Sequence, residues 1–114
     1  MAYFVAVNGE GPAWVPSRPM REQAGWTPHA EWVNALVRDG FIVLAGPIGS
    51  GSPHRAMLIV HAESEAAVRS RFETDPWIRS GVLRTLSIDP WSVLASDDRL
   101  DRLLDEITRS KPPS

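Results

Sequence analysis

Three histidines, His29, His54 and His61, are the side chains in this 114-residue chain able to exchange a proton near neutral pH. Cysteine is absent, which removes thiolate nucleophiles, thiolate metal sites and disulfides together. His29 is the best placed of the three. It lies three and four residues before Trp32 and Val33, so on a helix it shares their apolar face and points its imidazole at the interior. There it could take a proton from a carbon acid or a hydroxyl and return it elsewhere. His54 follows a Gly- and Ser-rich stretch and reads as an exposed turn residue. His61 ends an apolar run, at the edge of the core or facing solvent. The three show no HxxxH-type spacing, so no metal site is expected. No serine stands where a nucleophile would be needed, although Ser50 and Ser52 could donate a hydrogen bond to a ligand.

The element that must position His29 is a helix over about 28–39. Thr27 is an N-cap type, Pro28 suits the first helical position and Asp39-Gly40 ends it. Trp32, Val33 and Leu36 form its apolar face. Before it, Tyr3–Asn8 (YFVAVN) reads as a central strand. The intervening residues 9–26 hold three glycines and three prolines, and 18 residues is long for a connection. Long loops often serve as lids: Arg18 and Arg21 could face a carboxylate or phenolate while Trp14 and Trp26 cover a ring. The plainer expectation, which we favour, is that the two tryptophans pin the loop to the domain or to a partner subunit.

After the helix, Phe41–Ala45 (FIVLA) has the continuous apolar character of a strand covered on both faces, with Gly46-Pro47 bending it. The segment GPIGSGSP at 46–53 looks like a phosphate cradle only superficially. A strand, Arg55–His61, follows it and not a helix, so a hairpin loop is expected. Ser64 should cap a second helix with Ala67, Val68 and Phe72 buried and Arg69 and Arg71 near its end. Asp75 can cap a one-turn helix begun by Pro76 and ended by Gly81. A last strand at about 83–91 has Leu86 and Ile88 on one face and Thr85, Ser87 and Asp89 on the other.

The order strand, helix, strand, strand, helix, strand implies a ferredoxin-like α+β fold, a four-stranded antiparallel sheet with both helices on one face. Residues 1–95 form this domain. A C-terminal helix capped by Ser96 or Asp97, with Leu100, Leu103, Leu104 and Ile107 as its stripe, is added beyond it, followed by a disordered tail (SKPPS). The second sheet face needs a cover. Five tryptophans, a residue enriched at subunit interfaces, point to a homodimer stacked through the sheet faces.

With His29 in the first helix, LAGP at 44–47, DPW at 75–77 leading to Gly81, and the closing Pro90-Trp91, the chain resembles the YCII-related family over about residues 2–91. Each motif is short, and their order and spacing carry the likeness. The resemblance implies a ferredoxin-like fold that dimerises into an α/β barrel, with an active histidine and aspartate at positions matched by His29 and Asp75. It also implies eliminations such as dehydrochlorination of a chlorinated hydroxylated ring; that substrate is not carried over. The long 9–26 loop and the helix after residue 96 depart from the compact family pattern.

In such a pair Asp75 would hold one ring nitrogen of His29, fixing its tautomer, and leave the other facing the ligand. The expected function is cofactor-free general acid/base chemistry, an elimination or isomerisation of a small aromatic or carbonyl compound. Trp14, Arg18, Arg21, Trp32, Pro47, Ser50 and Ser52 are candidates to line the ligand site. The alternative is a dimeric ligand-binding or accessory module without catalysis. The formal net charge of -2, with both signs scattered, argues against nucleic acid. The N-terminus has no basic leader and no apolar run long enough to span a bilayer, so the cytoplasm is the expected compartment.

Overall fold

Strict alternation sets the first strand. In β1, Ala2–Glu10, the side chains of Phe4, Ala6 and Asn8 are buried on one face while Tyr3, Val5 and Val7 point to the other. A computed structural model describes residues 1–110. The elements that follow are α1 (Trp26–Arg38), β2 (Ile42–Ile48), β3 (Arg55–Ala62), α2 (Glu65–Phe72), α3 (Pro76–Ser80), β4 (Leu83–Trp91) and α4 (Asp98–Ser110). The strands form one antiparallel sheet in the order β2-β3-β1-β4, so β1 is central, as its composition implies. This is the ferredoxin-like α+β fold.

The main core lies between the helices and one sheet face. Phe4, Ala6, Leu58, Val60 and Ile88 from the sheet meet Leu36 of α1 and Val68 and Phe72 of α2, with Trp32, Val33 and Ala67 packed around them. Ser64 caps α2, its side chain accepting the Ala67 N–H at 3.1 Å. Arg71 near the end of α2 pairs with Asp39 just beyond α1 at 3.2 Å, tying the two helices together at their C-terminal ends.

Four expectations are corrected. Helix α1 begins at Trp26, not at 28, because Gly25 takes the left-handed conformation (φ 81°) and serves as N-cap. Thr27 and Pro28 therefore lie inside the first turn, and the backbone N–H of His29 bonds to the Gly25 carbonyl. Gly46 and Pro47 do not end β2, which continues through them to Ile48. Pro47 is tolerated because β2 is an edge strand, where a missing N–H leaves no ladder partner unsatisfied. Leu44 in that strand is 58% exposed, so within one chain β2 is covered on one face only. Finally, a register shift opposite Val7/Asn8 turns Leu86 away from the face of Ile88. Leu86 instead lies over Gly9, where an added Cβ would come within 2.7 Å of it.

The 11–25 connection is ordered by pairing to the end of the sheet. Gly11 and Ala13 donate to the carbonyls of Val82 and Gly81. Buried Gln23 acts as a clamp: its carbonyl oxygen accepts from Val15 N–H, and its amide donates to the carbonyls of Val15 and Arg18. Asp97 caps α4, accepting the Arg99 N–H at 2.9 Å. Leu103 of α4 is 40% exposed, so the expected docking of its stripe is not met at that residue. Residues 111–114 of the tail expected to be disordered lie outside those described. No helix among the described residues is long and apolar enough to cross a membrane.

Candidate active site

Asp75 is placed by the short helix it begins. Its Oδ1 accepts the Trp77 N–H at 2.9 Å, Pro76 occupies the first turn, and Gly81 ends α3 with φ 83°. The cap leaves the carboxylate 1% exposed and facing α1. His29, in the first turn of α1, brings Nδ1 to 2.8 Å from the same Oδ1. Asp75 Oδ1 thus receives two donors, a backbone N–H and the imidazole Nδ1–H, and Oδ2 is buried without a hydrogen-bond partner. An acceptor at Nδ1 fixes the neutral imidazole as the Nδ1–H tautomer and leaves the Nε2 lone pair unclaimed.

The ring of His29 is held from its sides by indoles. Trp77, fully buried, stacks on it with centroids 4.0 Å apart and planes 10° from parallel. Trp77 is itself anchored by Nε1–H donating to the Ala24 carbonyl at 2.7 Å, just before the Gly25 cap of α1. One residue therefore fixes the start of α1 and the plane of the imidazole that α1 carries. Trp26 packs against both His29 and Trp77. Trp32 is tied to the α2–α3 junction by Nε1–H to Thr74 Oγ1 at 2.8 Å. Four of the five tryptophans thus gather around His29 or, as Trp14 does, against Trp77. Only Trp91 lies on the far side of the sheet.

His29 and Asp75 belong to the wall of a cavity of about 380 Å³ between α1 and the core face of the sheet. That is enough for a single small ring compound, at the low end of ligand pockets. Helix α1 contributes Trp26, His29, Trp32 and Val33, and the sheet contributes Asn8, Pro47, Ala56 and Leu58. Of the expected ligand-site residues, Arg21, Trp32 and Pro47 line this cavity together with His29 and Asp75. The Arg21 guanidinium lies 5.4 Å from the Trp26 ring centre, so it rests on an indole at the rim. Trp14 stands behind the cavity against His54. Arg18 is exposed in the loop, and Ser50 and Ser52 are exposed in the β2–β3 turn, where Ser50 Oγ bonds to the Ser52 carbonyl. None of these three lines the cavity.

Three polar residues of the cavity, Asn8, Asn34 and His54, are not among the expected ligand-site residues. His54, expected to be exposed, is 6% exposed. It stacks on Trp14 at 4.5 Å and 10°, and its backbone N–H donates to Glu10 Oε2 at 2.7 Å. Burial holds its imidazole below the ordinary histidine range. The Glu10 carboxylate pulls the other way, and His29 adds to the lowering. Asn8 is 3% exposed and its Oδ1 has no partner. The alternation of β1 held the signal for Asn8, since it shares the parity of Phe4 and Ala6. For His54 no local signal exists, because Trp14, which covers it, lies 40 residues away.

A ferredoxin-like α+β chain with a histidine–aspartate pair in the wall of a ring-sized cavity is the class that fold and site define. No family model matches the chain, and no curated protein matches its sequence. Among solved structures it is similar to 5-chloro-2-hydroxyhydroquinone dehydrochlorinase from Burkholderia phenoliruptrix AC1100 in complex with 2,5-dihydroxybenzoquinone. The TM-score is 0.57 and the identity 22%, over 79% of this chain and 93% of that one. The likeness agrees with the fold.

Proposed function

We propose that this is a YCII-like protein whose cavity binds a small planar hydroxylated or carbonyl-bearing ring. His29, oriented by Asp75, would transfer a proton on that ring without a cofactor. The observation that carries the reading is the 2.8 Å contact of His29 Nδ1 with the buried Asp75 carboxylate in the cavity wall. With Nδ1–H engaged, Nε2 is the atom that takes a proton from a ring hydroxyl or an acidic ring carbon. In an elimination, the electron pair released from that bond forms a new double bond and expels an anionic leaving group. In an isomerisation, the imidazolium returns the proton to a second ring atom. The positive charge on the imidazolium meets the Asp75 carboxylate at its Nδ1 edge and the stacked indole of Trp77 on its face. The similarity to a dehydrochlorinase bound to a dihydroxybenzoquinone supports both the ligand class and the reaction type.

The second sheet face supports a homodimer. Leu44, Met57, Leu86 and Trp91 are exposed on it or at its edges, and a second copy stacked sheet on sheet would cover them.

The test is release of halide from a panel of halogenated dihydroxybenzenes. Turnover should fall by about 10²–10⁴ in His29→Gln while ring binding, followed by tryptophan fluorescence, persists. Equal turnover in the two proteins would overturn the reading. Binding with no turnover in the wild type would favour the ligand-binding module.

A further inference from the structure

The cavity has a second polar pole that the His29–Asp75 chemistry does not use. Asn8 sits on the central strand, on the face where β1 otherwise presents Phe4 and Ala6. An asparagine there is costly, because an acceptor buried without a partner gives up its hydration and gains no bond in return. Its Oδ1 has no partner within the protein, and the residue lines the cavity floor opposite α1. His54 lines the same cavity, just before β3, whose Ala56 pairs with Asn8 in register. Its ring is fixed against Trp14, and among the described residues no hydrogen bond to its ring nitrogens is formed. An unpaired carboxamide oxygen and an unpaired imidazole therefore flank the sheet side of a cavity into which His29 reaches from the helix above.

We propose that Asn8 and His54 form a hydroxyl-binding pole that selects rings carrying a hydroxyl group remote from the position on which His29 acts. The carboxamide oxygen accepts the hydroxyl proton, and the neutral imidazole offers a second hydrogen bond to the same group. The residues act on ligand choice and orientation, not on proton transfer. This deepens the function proposed above and rests on the cavity being the ligand site.

The test is equilibrium binding of hydroquinone, 4-methoxyphenol and 1,4-dimethoxybenzene, in which the hydroxyls are methylated one at a time, to the full chain. The wild type should bind hydroquinone more tightly than 1,4-dimethoxybenzene. Asn8→Leu should weaken hydroquinone by about three- to tenfold, the value of one hydrogen bond, and leave 1,4-dimethoxybenzene essentially unchanged. Asn8→Ala removes the carboxamide without adding bulk and should collapse the same preference, and His54→Phe should act in the same direction. Full hydroxyl preference in both folded Asn8 variants would overturn the pole while leaving the ligand site and the His29 mechanism standing. Absence of binding of all three probes to the wild type would overturn it together with the ligand reading. Loss of the preference in the Asn8 variants alongside unchanged turnover in His29→Gln would support the pole and contradict the acid/base function.

Discussion

Trp77 lies face to face with His29, ring centres 4.0 Å apart, two residues after the Asp75 that holds the same imidazole by its Nδ1. One five-residue helix therefore controls both the plane of the ring and its tautomer. Because Trp77 Nε1 also holds the Ala24 carbonyl, the start of the helix carrying His29 is tied to that same element.

Asp75 combines two tasks that substitutions can separate. Asp75→Asn and Asp75→Ser keep an N-cap, whereas Asp75→Ala loses it. Urea unfolding should show Asp75→Ala less stable than Asp75→Ser by about 1 kcal/mol, the usual value of a cap. Turnover should fall in both, since neither retains the carboxylate beside His29.

Truncating Trp77 should be among the most damaging changes in the chain. Trp77 is completely buried, and a Trp→Ala change in a core typically costs about 3–5 kcal/mol. Trp77→Phe keeps a ring against His29 but drops the bond to Ala24. Its smaller loss, about 1–3 kcal/mol, should come with loosening of the 24–29 segment, measurable as faster amide exchange at His29.

Gln23 holds the 11–25 connection with three hydrogen bonds. Gln23→Ala should leave the sheet and the helices intact yet make the bonds around Val15–Arg18 susceptible to limited proteolysis. Because Met20 and Arg21 of the same connection line the cavity, ligand affinity should fall with it.

His54 links stability to pH. Its folded value is held below the ordinary 6.5, mainly by burial, so between that lowered value and 6.5 the unfolded chain binds more protons than the folded one. Stability therefore falls as pH drops below 6.5, by at most about 1.4 kcal/mol per pH unit from this residue. It is unaffected by His54 above that pH. His54→Gln should flatten this part of the pH–stability curve measured by urea unfolding.

The exposed side of the sheet gives an assembly prediction. Leu44→Glu or Met57→Lys should convert a dimer to a monomer in sedimentation equilibrium without loss of secondary structure, since both residues are exposed in the single chain. A wild-type chain that sediments as a monomer at micromolar concentration contradicts the dimer.

Where a feature depends on neighbours a few residues apart, the sequence is enough to read it. The Ser64 and Asp75 caps, the Gly81 stop, the apolar face of α1 and the order of elements along the chain all follow from local periodicity and turn chemistry. Contacts between distant segments are not written that way. The stacking of Trp14 on His54 joins residues 40 apart, and it alone turns an expected surface histidine into a cavity wall. The Gly25 start of α1 depends on Gln23 and Trp77, which no helix rule weighs against Thr27. Pro47 reads as a strand end until the topology places β2 at the edge. The tryptophans illustrate the ambiguity of composition: a count that fits a subunit interface is spent mostly around His29.

The most direct measurement is the tautomer of His29, from nitrogen-15 NMR of its two ring nitrogens, assigned with His29→Gln. With Asp75 accepting at Nδ1, the neutral ring should carry its proton on Nδ1 and leave Nε2 bare toward the cavity, and Asp75→Ser should release that proton to Nε2. A wild-type ring protonated at Nε2, or a tautomer indifferent to Asp75, would mean that Asp75 does not orient His29 and that the pair is not an acid/base unit.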